Sequence, residues 1–245
     1  MIHLPWPRLC GCGVVHRVSV ERDLAHRLRP YDDVFLSNTS KNAMLDAVDE
    51  GAAGFGWKFG SLHTAYSTTG TNEVTGGSPA YARKALTWGA AASGAKALTA
   101  TFPVFDIPAS TTIAWFGLFD ASTAGNFGGM APLGGGPLLN AMVEVAADIT
   151  NNDIFSKAHG LVADNRVVFW GTLPTGLTVG TIYWVISTGI TTDSFRVSTT
   201  QAGSAVDITG TQPFGFFAQK CVPETFGAQG TYTVNSGTVD LAAVV

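Results

Sequence analysis

Near its C-terminal end the chain reads ETFGAQGTYTVNSGTVDLA over residues 224–242. Apolar and polar residues alternate there, with Tyr232 and Val234 on one expected strand and Val239 and Leu241 on the next. Two strands alone cannot bury an apolar face. They need a sheet that begins elsewhere in the chain. The matching texture is TIAWFGLFDASTAGNFGGMAPLGG, residues 112–135, which breaks off near Leu133. The spacing predicts that the closing strands complete the sheet left there, and that the residues between are a guest. Insertions are tolerated at exposed loop tips where the chain leaves and returns at one place, and the glycines of LGGGP suit a departure point.

The guest has its own pattern. Short apolar runs recur at Val167–Trp170, Ile182–Ile186, Phe195–Val197, Val206–Ile208 and Phe214–Phe217, with turn signals HG, ADN, LPTG and TTD between them. LLNAMVEVAADI reads as a lead-in. The expected organisation is an N-terminal arm over 1–35, a discontinuous host over 36–137 plus 220–245, and an inserted module over 138–219. The expected fold class is all-β: a β-sandwich host, jelly-roll or Ig-like, with a short N-terminal helix and a small inserted β-module.

The helix is NTSKNAMLDAVDEGA, with Asn38 or Ser40 as cap, Met44, Leu45 and Val48 at helical spacing, and Gly51 as stop. The period then changes from 3.6 to 2 at WKFGSLHTAY. STTIAWFGLFD is the most buried-looking strand. Ile113, Trp115 and Phe119 are expected on one face and Ala114, Phe116 and Leu118 on the other, both covered.

Charged residues make up only 13% of the chain while 46% is hydrophobic, against about 25% charged in ordinary soluble domains. Such a surface suits cover by neighbouring molecules. A formal net charge of −4 argues against a phosphate-tracking nucleic-acid surface. No apolar run reaches the length of a membrane span, and Pro and Arg interrupt the first residues where a secretory signal would be apolar. Cys10, Cys12 and Cys221 form no disulfide framework, and Cys10 and Cys12 with His16 and His26 match no common zinc spacing. Arg8, Arg17, Arg22, Arg27 and Arg29 gather in the first thirty residues, where SVERDLAHRLRP can make a few helical turns before Pro30.

SLHTAYSTTGTNEVTGGSPAYARKALTWGAA, FDIPASTTIAWFGLFDASTAGNFGG and VPETFGAQGTYTV resemble a group of tailed-bacteriophage virion proteins, described as minor tail, tail-fibre or capsid-associated proteins and common in phages of actinobacteria. HGLVADNRVVFWGTLPTGLTVGTIYWVISTGITTDSFRVSTT resembles a small β-module recurring in such proteins. The resemblance covers about residues 37–242 and leaves out the arm. It implies a structural role in the virion, assembled in the host cytoplasm, and carries no catalytic residue or cofactor.

The residues agree with a non-enzymatic reading. No G-x-S-x-G, H-E-x-x-H or phosphate loop appears. His63 in a strand and His159 before a glycine read as hydrogen-bonded structural histidines. Asp46, Asp49 and Glu50 read as a solvated helix face. Asp148 and Asp153 around ITNN have oxygen ligands for calcium but no EF-hand spacing, and no metal is expected. Asp106 and Asp120 read as turn formers. Ile113, Trp115, Phe116 and Phe119 are the expected core. The expected assembly contacts are Arg17, Arg22, Arg27 and Arg29 in the arm with Trp57 and Trp88. The expected partners are other virion proteins and copies of this chain as a homo-oligomer; the other reading is a tail-tip adhesin whose tryptophans stack on a host cell-wall glycan.

Overall fold

The computed structural model describes residues 37–50, 56–99, 102–136, 138–143 and 146–240. The arm with its arginines, and Gly51, lie outside the described residues.

Helix α1 spans Asn38–Glu50. Its cap is Ser37, one residue before those expected: the Ser37 hydroxyl accepts the Ser40 N–H (3.2 Å), satisfying an N–H that has no partner inside the helix. Leu45 is buried, whereas Met44 is half exposed. Asp46 is not a bare solvated residue. Its Oδ1 accepts from Lys96 Nζ (2.6 Å) and from the Ala91 N–H (2.9 Å), which ties the helix to the segment from Ala91 to Lys96. The hydrogen bond from Lys96 holds the Asp46 carboxyl below its ordinary range.

Sixteen strands follow among the described residues, and the fold is all-β. A four-stranded antiparallel sheet has the order β2-β1-β6-β7, formed by Lys84–Ala85, Phe59–His63, Trp115–Phe119 and Phe127–Pro132. The register of β1 on β6 sets Leu62 opposite Phe116 and His63 opposite Trp115. Three short strands, β3 (Ala95–Ala97), β4 (Val104–Ile107) and β5 (Thr111–Ile113), stand outside that sheet. Pro103, Pro108 and Ala114 separate them, so each needs a partner of its own. The partners come from far along the chain: β14 (Glu224–Phe226) pairs with β5, β15 (Gly230–Thr233) with β4 and β16 (Thr238–Asp240) with β3. The closing strands therefore ladder with β3–β5 and not with β7. Toward Leu133 they are preceded by one hydrogen bond, Val222 N–H to the Leu133 carbonyl (2.7 Å). Leu62, Phe105, Ile107, Ile113 and Val234 meet in the core between the sheet and these ribbons, as in a sandwich.

The central strands close on themselves. A barrel runs β10-β11-β12-β9-β8-β13, formed by Arg166–Trp170, Tyr183–Ile186, Ser194–Ser198, Ile154–Phe155, Leu139–Val143 and Gln212–Cys221. The expected lead-in is therefore a barrel strand, β8, followed by a short helix α2 (Ala146–Asn151). Alternate residues point inward, as the two-residue period demands. Val167, Phe169, Tyr183, Val185, Phe195, Val197, Phe216 and Ala218 fill the interior. Val206–Ile208 is not a strand. Ile208 is buried in this core, but its N–H bonds to the Asn152 side chain (2.7 Å) instead of a ladder.

One parity expectation is overturned. Ala114 interrupts the run between β5 and β6, so the faces exchange there. Ile113 and Phe116 share the sandwich core, while Ala114 and Trp115 face the barrel with Val168 and Cys221. Tyr66, Trp115 and Trp170 form a three-ring joint there, with centroids 5.3–5.8 Å apart. Burial pushes the Cys221 thiol in this joint up to about 12.

Candidate functional site

Two places hold the residue types from which sites are built. The first is Ser61 with His63. A strand places residues two apart on the same side, and the hydroxyl lies 2.8 Å from Nε2. Nδ1 faces the Thr71 carbonyl at 2.9 Å. A carbonyl only accepts, so Nδ1 carries the proton and Nε2 accepts from Ser61. This resembles a nucleophile with its base, yet both residues have no exposed surface. Burial pushes the His63 pKa below its ordinary value, and the ring is stacked on Phe119. Beside it the two ends of NEVTGGSPAYAR meet: Arg83 Nη2 reaches Glu73 at 2.7 Å, and its guanidinium lies 3.3 Å from the Phe119 ring centroid. The pair is sealed and holds the strand in place, as the histidine's sequence context suggests. His159 is likewise structural, accepting the Leu161 N–H on Nδ1 (2.9 Å).

The second place is an open groove of about 740 Å³. Phe116 and Leu118 of β6 line it, with residues 128–136 from β7 and the turn after it, and residues 232–240 from β15 and β16. Trp57 and Trp88 complete it. Phe116 and Leu118, expected to be covered, are only half-buried, because the sandwich does not extend over them at this end. Trp88 Nε1 donates to the Trp57 carbonyl (2.7 Å), which fixes the two tryptophans relative to each other. Trp57 packs so tightly on Gly128 that a Cβ there would collide with its indole nitrogen. The polar contributors are chiefly neutral, Gln219 and Asn235 among them, and Asp240 is the charged one.

The structure thus brings together Trp57 and Trp88 of the expected contacts and leaves the four arginines outside the described residues. Gln219, Asn235 and Asp240 carry no mark of their own in the sequence. The one signal for them is the glycine density of FGGMAPLGGG, which removes side chains from one side of a cleft. The oxygen ligands imagined for calcium are otherwise engaged: Asp153 pairs with Arg196 (2.6 Å) and Asn152 bonds Ile208. Among the described residues no three metal-ligating side chains cluster. Asp120 does form a turn, bonding the Asn126 N–H and side-chain amide (both 2.7 Å), whereas Asp106 sits within β4 beside Lys84 (3.4 Å). Among the described residues no helix is long and apolar enough to cross a membrane.

A family model described as podophage GP4 fiber I protein gp80 matches residues 35–162. The match takes in α1, the four-stranded sheet and β3–β5, and runs on through β8 and β9 of the barrel. No curated protein and no solved structure matches the chain.

Proposed function

Because this chain belongs to the podophage GP4 fiber I protein gp80 family, and is thereby a phage virion structural protein of the tail-fibre type, we propose that it works by side-by-side packing in the particle, as a minor tail or capsid-decoration component. In this reading residues 36–137 and 220–245 act as one discontinuous host and 138–219 as an inserted barrel. One observation carries it. The strands on either side of the barrel pair with each other across it, β14 to β5, β15 to β4 and β16 to β3. The loop between β14 and β15 adds a pin, since Gln229 accepts the Ser78 N–H (2.8 Å) and donates to the Pro79 carbonyl (3.0 Å).

That arrangement suits a part that transmits force. The chain leaves for the barrel and returns from it side by side, where the Val222 N–H meets the Leu133 carbonyl, and Cys221 beside that return packs with Trp115 and Trp170, so force on the barrel passes to the host through packed rings. The surface carries few charges and exposes Phe102, Leu138, Phe155 and Phe217, which neighbours would cover. The test is a density map of intact particles with this chain located by antibody label. Ordered copies in repeated contact with neighbouring virion proteins are expected. A chain absent from purified particles would sink the reading.

A second reading is favoured by the groove: two fixed tryptophans with neutral amides and hydroxyls are the chemistry of a sugar subsite. Binding of host cell-wall fragments that quenches tryptophan emission, and is lost in Trp88→Ala, is its expected signature.

A further inference from the structure

The joint between sandwich and barrel holds a polar atom with nothing to bond. Trp115 has no exposed surface, and its Nε1 is buried without a hydrogen-bond partner. A buried N–H is almost always paired, because burial strips it of water. The other indole of the joint obeys that rule, since Trp170 Nε1 donates to Gln219 (3.2 Å). The rings packed on Trp115, Tyr66 and Trp170, are weak acceptors through their faces.

The joint also lacks a polar grip. Among the described residues no strand of the barrel pairs with a strand of the sandwich. No ion pair crosses between them there either. Cys221 Sγ lies 3.6 Å from the Ala114 carbonyl, and a thiol is a weak donor. What holds the two bodies together is apolar contact among Ala114, Trp115, Val168 and Cys221 with the rings around them.

The chain crosses between the bodies at two adjacent points. It leaves through Gly134, Gly135 and Gly136 and returns through Val222 and Pro223. Gly134 stands at φ +60°, and a Cβ there would lie 2.7 Å from Val222 Cβ, so glycine is what lets the two crossings pass this closely. A Cβ at Gly136 would meet nothing within 4 Å. Two crossings set side by side define an axis; two set far apart would block rotation. A closed barrel on one side and a laddered sandwich on the other are the rigid bodies that such an axis needs.

We propose that the barrel swings as a rigid body about Gly134–Gly136 and Val222–Pro223, opening the joint so that the Trp115 N–H and the Cys221 thiol reach water while both folds stay intact. The inference rests on the host-and-barrel division proposed above and goes beyond it by giving that division a motion. Exposure of the rings to water keeps the closed position favoured. The unpaired N–H lowers the cost of leaving it.

Cys221 reports the motion. In the full chain with Cys10→Ser and Cys12→Ser it is the remaining thiol, and burial keeps it protonated and inert while the joint is closed. Labelling by dithiodipyridine should run at least about tenfold faster than global unfolding allows, and should not respond to low urea, because a swing exposes little surface. The Trp115 indole N–H, followed by NMR, should exchange through the same opening, while the amides of Phe169 and Val185 in the barrel and of Leu62 and Phe105 in the sandwich stay protected. Gly180→Ala drives a methyl into Tyr66 across the joint and should raise labelling and indole exchange together by about tenfold or more. Fraying at the end of β13 would bare Cys221 as well, but would leave the indole protected and ignore Gly180→Ala. Labelling only at the rate of global unfolding, or fast labelling with a protected indole, overturns the inference; the indole decides even where Gly180→Ala does not fold. A joint that stays shut short of unfolding removes the hinge and leaves standing the role in the particle, which is read from particles.

Discussion

Gly117→Ala tests the sealed pair at the centre of the sheet. A Cβ at Gly117 would lie 2.5 Å from His63 Nε2 and 2.6 Å from Ser61 Oγ. Neither group can retreat, since both residues are fully buried and the imidazole is held by the Thr71 carbonyl and the Phe119 ring. Overpacking of this kind costs about 1–3 kcal/mol. Prising the hydroxyl from the ring leaves a buried polar group without a partner, for about 1–3 kcal/mol more. The sum is about 2–6 kcal/mol, a large part of a typical domain's stability. Urea unfolding followed by tryptophan emission and circular dichroism reads it. Combining the change with Ser61→Ala removes one of the two colliding atoms, so the double variant should be less destabilised than the sum of the singles. A loss below about 0.5 kcal/mol for Gly117→Ala, or strict additivity with Ser61→Ala, would refute the picture of a rigid, hydrogen-bonded pair.

Three further outcomes follow from the same structure. His63 has a lowered pKa in the fold, so the unfolded chain binds the proton more readily; its contribution is present above the ordinary value of 6.5 and is lost as pH falls below it, a dependence that His63→Gln should flatten in unfolding measured between pH 7.5 and 5. Trp115→Ala empties the joint between sandwich and barrel and should cost about 3–5 kcal/mol, with barrel and sandwich melting at separate temperatures in calorimetry where the native chain shows coupled transitions. Gly180→Ala drives a methyl into Tyr66 at a positive-φ position and should loosen the same joint, seen as faster proteolysis near residue 180 without loss of barrel circular dichroism.

Much of this architecture is legible because β-sheet side chains alternate. Val167 and Phe169, Tyr183 and Val185, Phe195 and Val197 announce inward faces by spacing alone, and all six line the barrel. The lead-in LNAMV hides its strand because Met142, at an outward position, is apolar like the inward Leu139, Ala141 and Val143, which blurs the alternation. Period arguments also fail where the chain changes sheet. Ala114 belongs to neither β5 nor β6, and that one residue moves Phe116 to the sandwich side and Trp115 to the barrel side. Nothing in TTIAWFG marks the change, since every residue from Ile113 to Phe116 is apolar.

The groove is the least legible feature, and the reason lies in the same exchange of faces. A strand apolar on both sides implies two covers, and the chain supplies only part of one. Phe116 is packed on its inner side by Phe105 while its outer neighbour Leu118 looks across to glycines at 128 and 129. Glycine withholds the very side chains that would have closed the sandwich there, and at the same place β7 shifts its register against β6, between the Leu118 and Phe119 pairings.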